Sequence, residues 1–109
     1  MTEASAQAAT PKMETLRLTT PILRGEQEVT ELTLRKPKAG ELRGLSIQEL
    51  MNARVTSTLD ILPRITVPPI SQHEADNLEV EDLAAASGII IGFFMTASDR
   101  HQIEKALKR

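Results

Sequence analysis

The residues that could do acid–base or metal chemistry are few in this chain of 109 residues. The chain has no cysteine, and its only imidazoles are His73 and His101. A hydrolytic triad needs a nucleophile beside an oriented base, and zinc sites use closely spaced Cys and His ligands. The sequence shows neither pattern, and we interpret both histidines as surface residues. We therefore expect no catalytic residue, no metal and no cofactor.

Two further segments resemble ligand-binding loops but lack the residues that such loops require. Gly40 and Gly44 enclose a short loop that is not followed by Lys-Ser/Thr, so it does not match a nucleotide phosphate loop. The five acids at positions 74–82 lack the spacing and the glycine of a calcium loop, and they favour helix starts instead. A net charge of −2 and 2% aromatic residues argue against nucleic-acid binding.

The ends of the chain show no targeting or membrane signal. Residues 1–10 lack a basic segment followed by an apolar one, so they do not form a signal peptide. The longest uncharged run, residues 83–98, is shorter than the roughly twenty residues that span a bilayer. We predict a disordered tail over residues 1–12, a single domain over residues 13–98 and a charged tail over residues 99–109.

A β-hairpin and several helices must position any functional residue. Residues 14–36 alternate polar and apolar side chains on both sides of a turn at Gly25, which predicts an antiparallel hairpin. Pro37 has no backbone N–H, so the second strand should end by Lys36. Apolar residues then recur at three- and four-residue steps, which predicts three to five helices between about 38 and 98. The fold class is therefore α+β, with an N-terminal hairpin packed against a small helix bundle.

Capping and proline signals predict where the first helices begin and end. Ser46 and Ser71 each stand three residues before a glutamate, which is the spacing of a capping box. An apolar stripe over residues 47–62 predicts one helix that ends near Pro63. Arg54 falls on this stripe, so it either extends along the apolar surface or marks a break near Asn52. Residues 64–70 should form an extended connector.

The last helix is predicted to begin with the acids at positions 79–82 and to run to about residue 97. Its residues are apolar nearly all round, which indicates the central helix of the domain. Gly88 and Gly92 are spaced so that another backbone could pack closely against the helix.

The corner that joins strand to helix is the candidate surface for a partner. Pro37 fixes the exit from the sheet, and the neighbouring glycines allow a tight turn or a close approach of another backbone. The predicted partner-binding residues are Arg35, Pro37, Leu42, Arg43 and Leu45. In the alternative interpretation the corner only joins two elements, and its arginines pair with nearby glutamates (Glu41 or Glu49) in exposed ion pairs that contribute about 0–1 kcal/mol.

Four blocks of sequence resemble a known family when they are taken in order. They are residues 18–22 (LTTPI), 33–46 (TLRKPKAGELRGLS), 62–66 (LPRIT) and 92–94 (GFF). Together they cover about residues 14–95 and resemble the Mu-like tail assembly chaperones of contractile-tailed phages and prophages.

The resemblance implies a non-enzymatic assembly factor that acts in the cytoplasm of a bacterial host. Such proteins bind the tape-measure protein, promote assembly of the tail tube around it and are absent from the mature virion. Many of their genes also give a longer product by frameshift, whose extra domain recruits the tail tube protein. Self-association is compatible with this function, whereas nucleic acid and membrane are not expected partners. The alternative is a minor structural component of a phage tail.

Overall fold

The computed structural model describes residues 12–95, so the predicted tails lie outside the described residues except for Lys12. This part of the chain contains three strands and four α-helices, together with a 3₁₀ turn at Ala39–Leu42. The elements are β1 (Met13–Arg24), β2 (Gln27–Arg35), α1 (Ile47–Met51), α2 (Val55–Ile65), β3 (Thr66–Val67), α3 (Gln72–Asp76) and α4 (Val80–Phe94). The predicted α+β class and the N-terminal hairpin are confirmed.

The hairpin forms where the alternation predicted it. β1 and β2 are antiparallel and joined by a two-residue turn, in which Gly25 has a φ of +61°. A glycine in the first central position suits such turns because it adopts positive φ without a steric cost. β2 ends at Arg35, two residues before Pro37, as predicted.

A bulge interrupts the pairing of β1 with β2 at the LTTPI block. Arg17 pairs with Glu31 and Ile22 pairs with Val29, so residues 18–21 of β1 stand opposite Thr30 alone. Pro21 cannot donate a ladder hydrogen bond, and a bulge is one of the few places where a strand accepts proline. The backbone N–H of Thr19 is thereby free to bond outside the sheet.

The segment predicted as an extended connector is only partly extended. Arg64 and Ile65 belong to the last turn of α2, and Thr66–Val67 forms β3. This short strand pairs with Thr33 and Leu34 of β2, which gives a three-stranded sheet in the order β1-β2-β3. The Val67–Pro68 peptide bond that follows is cis. The pairing of β3 with β2 was not predicted from the sequence.

The apolar stripe over residues 47–62 forms two helices rather than one. The helix is interrupted at residues 52–54, where Ala53 has a φ of +58°. Of the two interpretations given for Arg54, the one in which it marks a break in the helix is therefore correct. The Ser46 side chain accepts a hydrogen bond from the Glu49 N–H at 3.3 Å. The Glu49 carboxylate instead accepts one from the Ser57 hydroxyl at 3.1 Å, so the reciprocal half of the predicted capping box is wrong. The box at Ser71 is complete.

Pro63 does not end α2, which continues to Ile65. A proline inside a helix leaves the carbonyl four residues earlier without its helical donor. That carbonyl belongs to Leu59, and it accepts a hydrogen bond from the side-chain amide of Gln72 at 3.1 Å. A contact from α3 therefore compensates for the missing bond and lets the helix pass the proline.

The core lies between the helices and one face of the sheet. The even-numbered leucines of the hairpin point towards the helices, whereas Thr15, Arg17 and Glu31 remain exposed on the opposite face. The least exposed large apolar side chains are Leu32, Leu34, Leu50, Ile61, Leu62, Ile65, Ile90 and Phe93.

Helix α4 packs against β1, β2, α1 and α2, as expected of a central helix, but only one side of it is buried. Its other side is exposed at Val80, Ala84, Ala85 and Gly88. A Cβ atom placed on Gly88 would meet nothing within 4 Å. The close backbone contact predicted at this glycine is therefore absent among residues 12–95. In the same range, no helix is both long and apolar enough to cross a membrane.

Candidate partner-binding site

The corner between β2 and α1 is a tightly bonded turn. Its 3₁₀ turn is closed by a hydrogen bond from the Glu41 N–H to the Lys38 carbonyl at 2.9 Å. The Glu41 carboxylate accepts from the Lys38 N–H, also at 2.9 Å. Gly44 has a φ of +80°, a conformation that glycine adopts without strain. The sequence prediction of a tight, glycine-dependent corner is thus confirmed.

Arg35 is bonded within the corner rather than extended towards solvent. Its guanidinium makes a two-pronged contact with Glu41, in which the Nη1–Oε1 distance is 2.8 Å and Nη2 contacts Oε2. Its Nη2 also donates to the Arg64 carbonyl at 2.9 Å. The hydrogen bond from Arg35, followed by that from the Lys38 N–H, lowers the pKa of Glu41 to about 2. Arg35 thus pairs with Glu41, which is the alternative interpretation for this residue.

A second arginine, which the sequence analysis did not single out, fastens the corner to α2. Arg64 Nη1 donates to the Glu41 carbonyl at 2.7 Å and to the Arg43 carbonyl at 2.9 Å. Backbone carbonyl groups that have no backbone donor need such a partner, and a single guanidinium can donate to two carbonyl groups. The LPRIT block gave no local signal for this role, because its proline predicted that the helix ends near Pro63, whereas the helix continues to Ile65.

The other candidate residues remain available at the surface to different degrees. The Arg43 side chain is exposed and has no hydrogen-bond or ion-pair partner among residues 12–95. Leu42 and Leu45 are half-buried and pack against the core with part of their surface. Pro37 is half-buried and lines a small cleft. The corner therefore presents one free guanidinium beside two partly exposed leucines.

Apolar side chains outside the corner are also exposed. Ile47 and Val55, which the sequence placed on the buried stripe, are the first residues of α1 and α2 and are each 55% exposed. The complete set of large exposed apolar residues is Met13, Leu23, Ile47, Val55, Val67 and Val80 within residues 12–95. A protein that binds an apolar client needs such surface.

The LTTPI block proves to have a role that its sequence did not reveal. Asp82, in the first turn of α4, is only 2% exposed. Its two carboxylate oxygens each lie 3.0 Å from the Thr19 N, and Oδ2 also accepts from the Thr19 hydroxyl at 3.1 Å. The bulge in β1 is thus fixed to the start of α4. An acid at a helix start indicated only a favourable interaction with the helix dipole, so this contact was not predicted.

The histidines and acids considered for acid–base or metal chemistry do not form a cluster within residues 12–95. His73 is exposed and its ring Nε2 lies 3.4 Å from the side-chain amide of Asn77. No cluster of three or more His, Asp or Glu side chains that could hold a metal ion occurs in residues 12–95. His101 lies outside the described residues.

Comparison with known proteins gives consistent matches. Residues 15–95 match the family described as phage tail assembly chaperone proteins, E, or 41 or 14. The chain is 40% identical over 82 residues to tail assembly protein E of Escherichia phage P2, covering 75% of this chain and 90% of that protein. It is 39% identical over 84 residues to tail assembly protein E' of the same phage, covering 77% of this chain but only 59% of E'. No solved structure gives a significant match.

Proposed function

Since the chain belongs to the phage tail assembly chaperone family, we propose that it is a non-enzymatic assembly factor that binds the tape-measure protein and promotes assembly of the tail tube. The observation that carries the proposal is the family match over residues 15–95, which includes nearly every described residue. In this proposal the protein acts in the cytoplasm of the bacterial host and is absent from the mature virion.

The surface that we propose for the client is the corner with its free arginine. Arg43 and the exposed parts of Leu42 and Leu45 form the contact, because an unpaired guanidinium next to apolar surface is a common centre of binding energy. Arg35 and Pro37 position this surface, since Arg35 is already bonded to Glu41 and to the end of α2. The corner is also rigid, which lowers the entropic cost of binding.

The tail tube protein is a second proposed partner, reached through a longer product of the same gene. The match covers 90% of E but only 59% of E', so the region shared with this chain is nearly all of one relative and little more than half of the other. This difference supports a short and a long form that share this domain. The additional region of the long form would recruit the tube protein, and self-association of the shared domain would bring copies together.

The decisive experiment is co-expression with the tape-measure protein of the same phage or prophage, followed by affinity capture. We expect capture by the wild type and at least about fivefold weaker binding by Arg43→Ala, since a central interface residue contributes more than about 1 kcal/mol. Arg54→Ala is the matched control, because Arg54 is also exposed and its side chain has no partner among residues 12–95. Equal binding by both variants would remove the corner from the interface.

The alternative function, a minor structural component of the tail, is tested by mass spectrometry of purified particles. The chaperone proposal requires the protein to be missing from complete particles while present in lysates of cells that assemble them. Detection at a stoichiometry similar to that of other minor tail proteins would favour the structural alternative.

A further inference from the structure

All three lysines of residues 12–95 lie around one cleft at the open end of the hairpin. Lys12, Lys36 and Lys38, together with Pro37, line a space of about 300 Å³. The Lys36 N–H donates to the Lys12 carbonyl at 2.7 Å, so the strand pairing continues one residue beyond Met13 and Arg35. The sequence separates Lys12 from the other two by more than twenty residues, and only the hairpin brings them together.

This arrangement places like charges where they reduce stability. Because Lys12 and Lys36 stand opposite each other across the hairpin, their Cβ atoms lie on the same face about 5 Å apart. Like charges in directly opposed positions repel each other and weaken the pairing of the strands. A structural role for this pair would favour an opposite charge or a polar residue in one of the two positions.

No carboxylate within the described residues forms an ion pair with these lysines. None of the three ammonium groups has an acidic oxygen within 4.0 Å in residues 12–95. Glu41 is close in sequence, but its side chain is occupied by the Arg35 guanidinium and the Lys38 N–H. Glu14, the next residue on the same face of β1, is not in ion-pair contact with any lysine. The three ammonium groups therefore remain without an ion-pair partner among the described residues, and Lys38 contributes only to lowering the pKa of the nearby Glu41.

We propose that this cleft binds a short acidic segment of a partner protein, with two or three carboxylates placed against Lys12, Lys36 and Lys38. A volume of about 300 Å³ is at the low end of ligand pockets, roughly 300–1,000 Å³, and suits a few side chains. Pro37 provides an apolar wall beside the charges. Arg43 does not line the cleft, and the proposal does not depend on which tail protein is the client.

The structure favours a partner protein over the other polyanions. A nucleic acid would have to lie along a chain whose net charge is −2 and which has no aromatic residue at the cleft. In a second copy of this chain, several of the acids that could enter the cleft are already engaged within residues 12–95, for example Glu31 with Arg17 and Glu41 with Arg35. Glu74 is bonded to Arg24, and Asp82 is bonded to Thr19.

Fluorescence anisotropy with a labelled hexaglutamate peptide tests the proposal on the full chain. We expect binding that weakens strongly when salt is raised from about 0.05 M to about 0.5 M, because the contacts are exposed charges. We expect Lys36→Gln with Lys38→Gln to weaken binding by about tenfold. The charge-matched control is Arg17→Gln with Arg54→Gln, which lowers the net charge equally at other places and should change affinity less than about twofold.

Several results would overturn the proposal. These are absence of hexaglutamate binding, equal weakening in the two double variants, and equal binding of a hexaglutamine peptide. Tighter binding of a six-nucleotide single-stranded DNA would make nucleic acid the ligand. Lysine-dependent dimerisation in sedimentation, unaffected by hexaglutamate, would make a second copy the occupant.

The melting temperature of the lysine double variant should be no lower than that of the wild type, and a large decrease would show that the lysines are structural. The single variant Lys12→Gln, which should also weaken peptide binding, keeps the test valid in that case.

Discussion

Removing the Asp82 carboxylate should destabilise this domain more than removing any other acid among residues 12–95. Asp82 is buried at the start of α4, and its oxygens accept from the N–H and the hydroxyl of Thr19. The perturbation is Asp82→Ala, which leaves the Thr19 N–H without an acceptor. Because this N–H lies in the bulge of β1, the sheet offers it no substitute.

The expected loss of stability follows from the two donors of Thr19, its N–H and its hydroxyl, which lose their acceptor. A hydrogen bond to a charged acceptor contributes about 1.5–3 kcal/mol, and partial access of water to the Thr19 side reduces the sum. We therefore expect Asp82→Ala to lower the free energy of unfolding by about 3 kcal/mol, out of the roughly 5–15 kcal/mol typical of a domain. For a domain of this size the melting temperature should fall by roughly 10–25 °C. Asp82→Asn keeps one carbonyl acceptor and should lose about half as much.

Urea unfolding followed by circular dichroism measures this loss. Glu81→Ala is the matched control, because Glu81 is an exposed acid in the same first turn and loses only its interaction with the helix dipole, about 0.3–1 kcal/mol. Thr19→Val removes the hydroxyl but keeps the N–H, and it should cost about 1 kcal/mol. If Asp82→Ala costs no more than Glu81→Ala, the contact between the bulge and α4 does not hold the two elements together.

Three further predictions rest on other contacts. The pKa of Glu74 is lowered to about 2, first by the hydrogen bond from Arg24. The ionised Glu74 therefore stabilises the fold above the ordinary glutamate pKa, and this stabilisation is lost as the pH falls towards 2. Between pH 6 and pH 2 the melting temperature should consequently fall less for Arg24→Gln than for the wild type. Gly25→Ala places a side chain at a φ of +61° and should cost about 1–2 kcal/mol in urea unfolding, with no change in the slope. Gly88→Ala should stabilise by about 0.5–1 kcal/mol in the same assay, because the site is helical and open, and a loss there would mean that another backbone does approach α4.

The binding site could be predicted from sequence only in outline. Pro37 and the glycines located the corner, because proline and glycine act on the backbone of their own turn. The sequence could not decide between Arg35 and Arg43 as the exposed guanidinium. That choice depends on the folded corner, in which Arg35 binds the Glu41 carboxylate and also the Arg64 carbonyl at the end of α2, twenty-nine residues away. The lysine cleft could likewise not be predicted from the sequence, because only the folded hairpin brings Lys12 close to Lys36 and Lys38.

The sequence by itself determined the elements whose signals are local. Alternation across Gly25 determined the hairpin, Pro37 determined the end of β2, and Ser71 determined the start of α3, because each acts within a few residues of itself. Tertiary structure decided the features that need a distant partner. Gln72 lets α2 pass Pro63, β2 turns Thr66 and Val67 into a strand, and Asp82 bonds to Thr19 across sixty-three positions of sequence. The physical reason is that an unpaired carbonyl, N–H or carboxylate must be satisfied once water is excluded, and only the folded chain determines which group is near enough to do so.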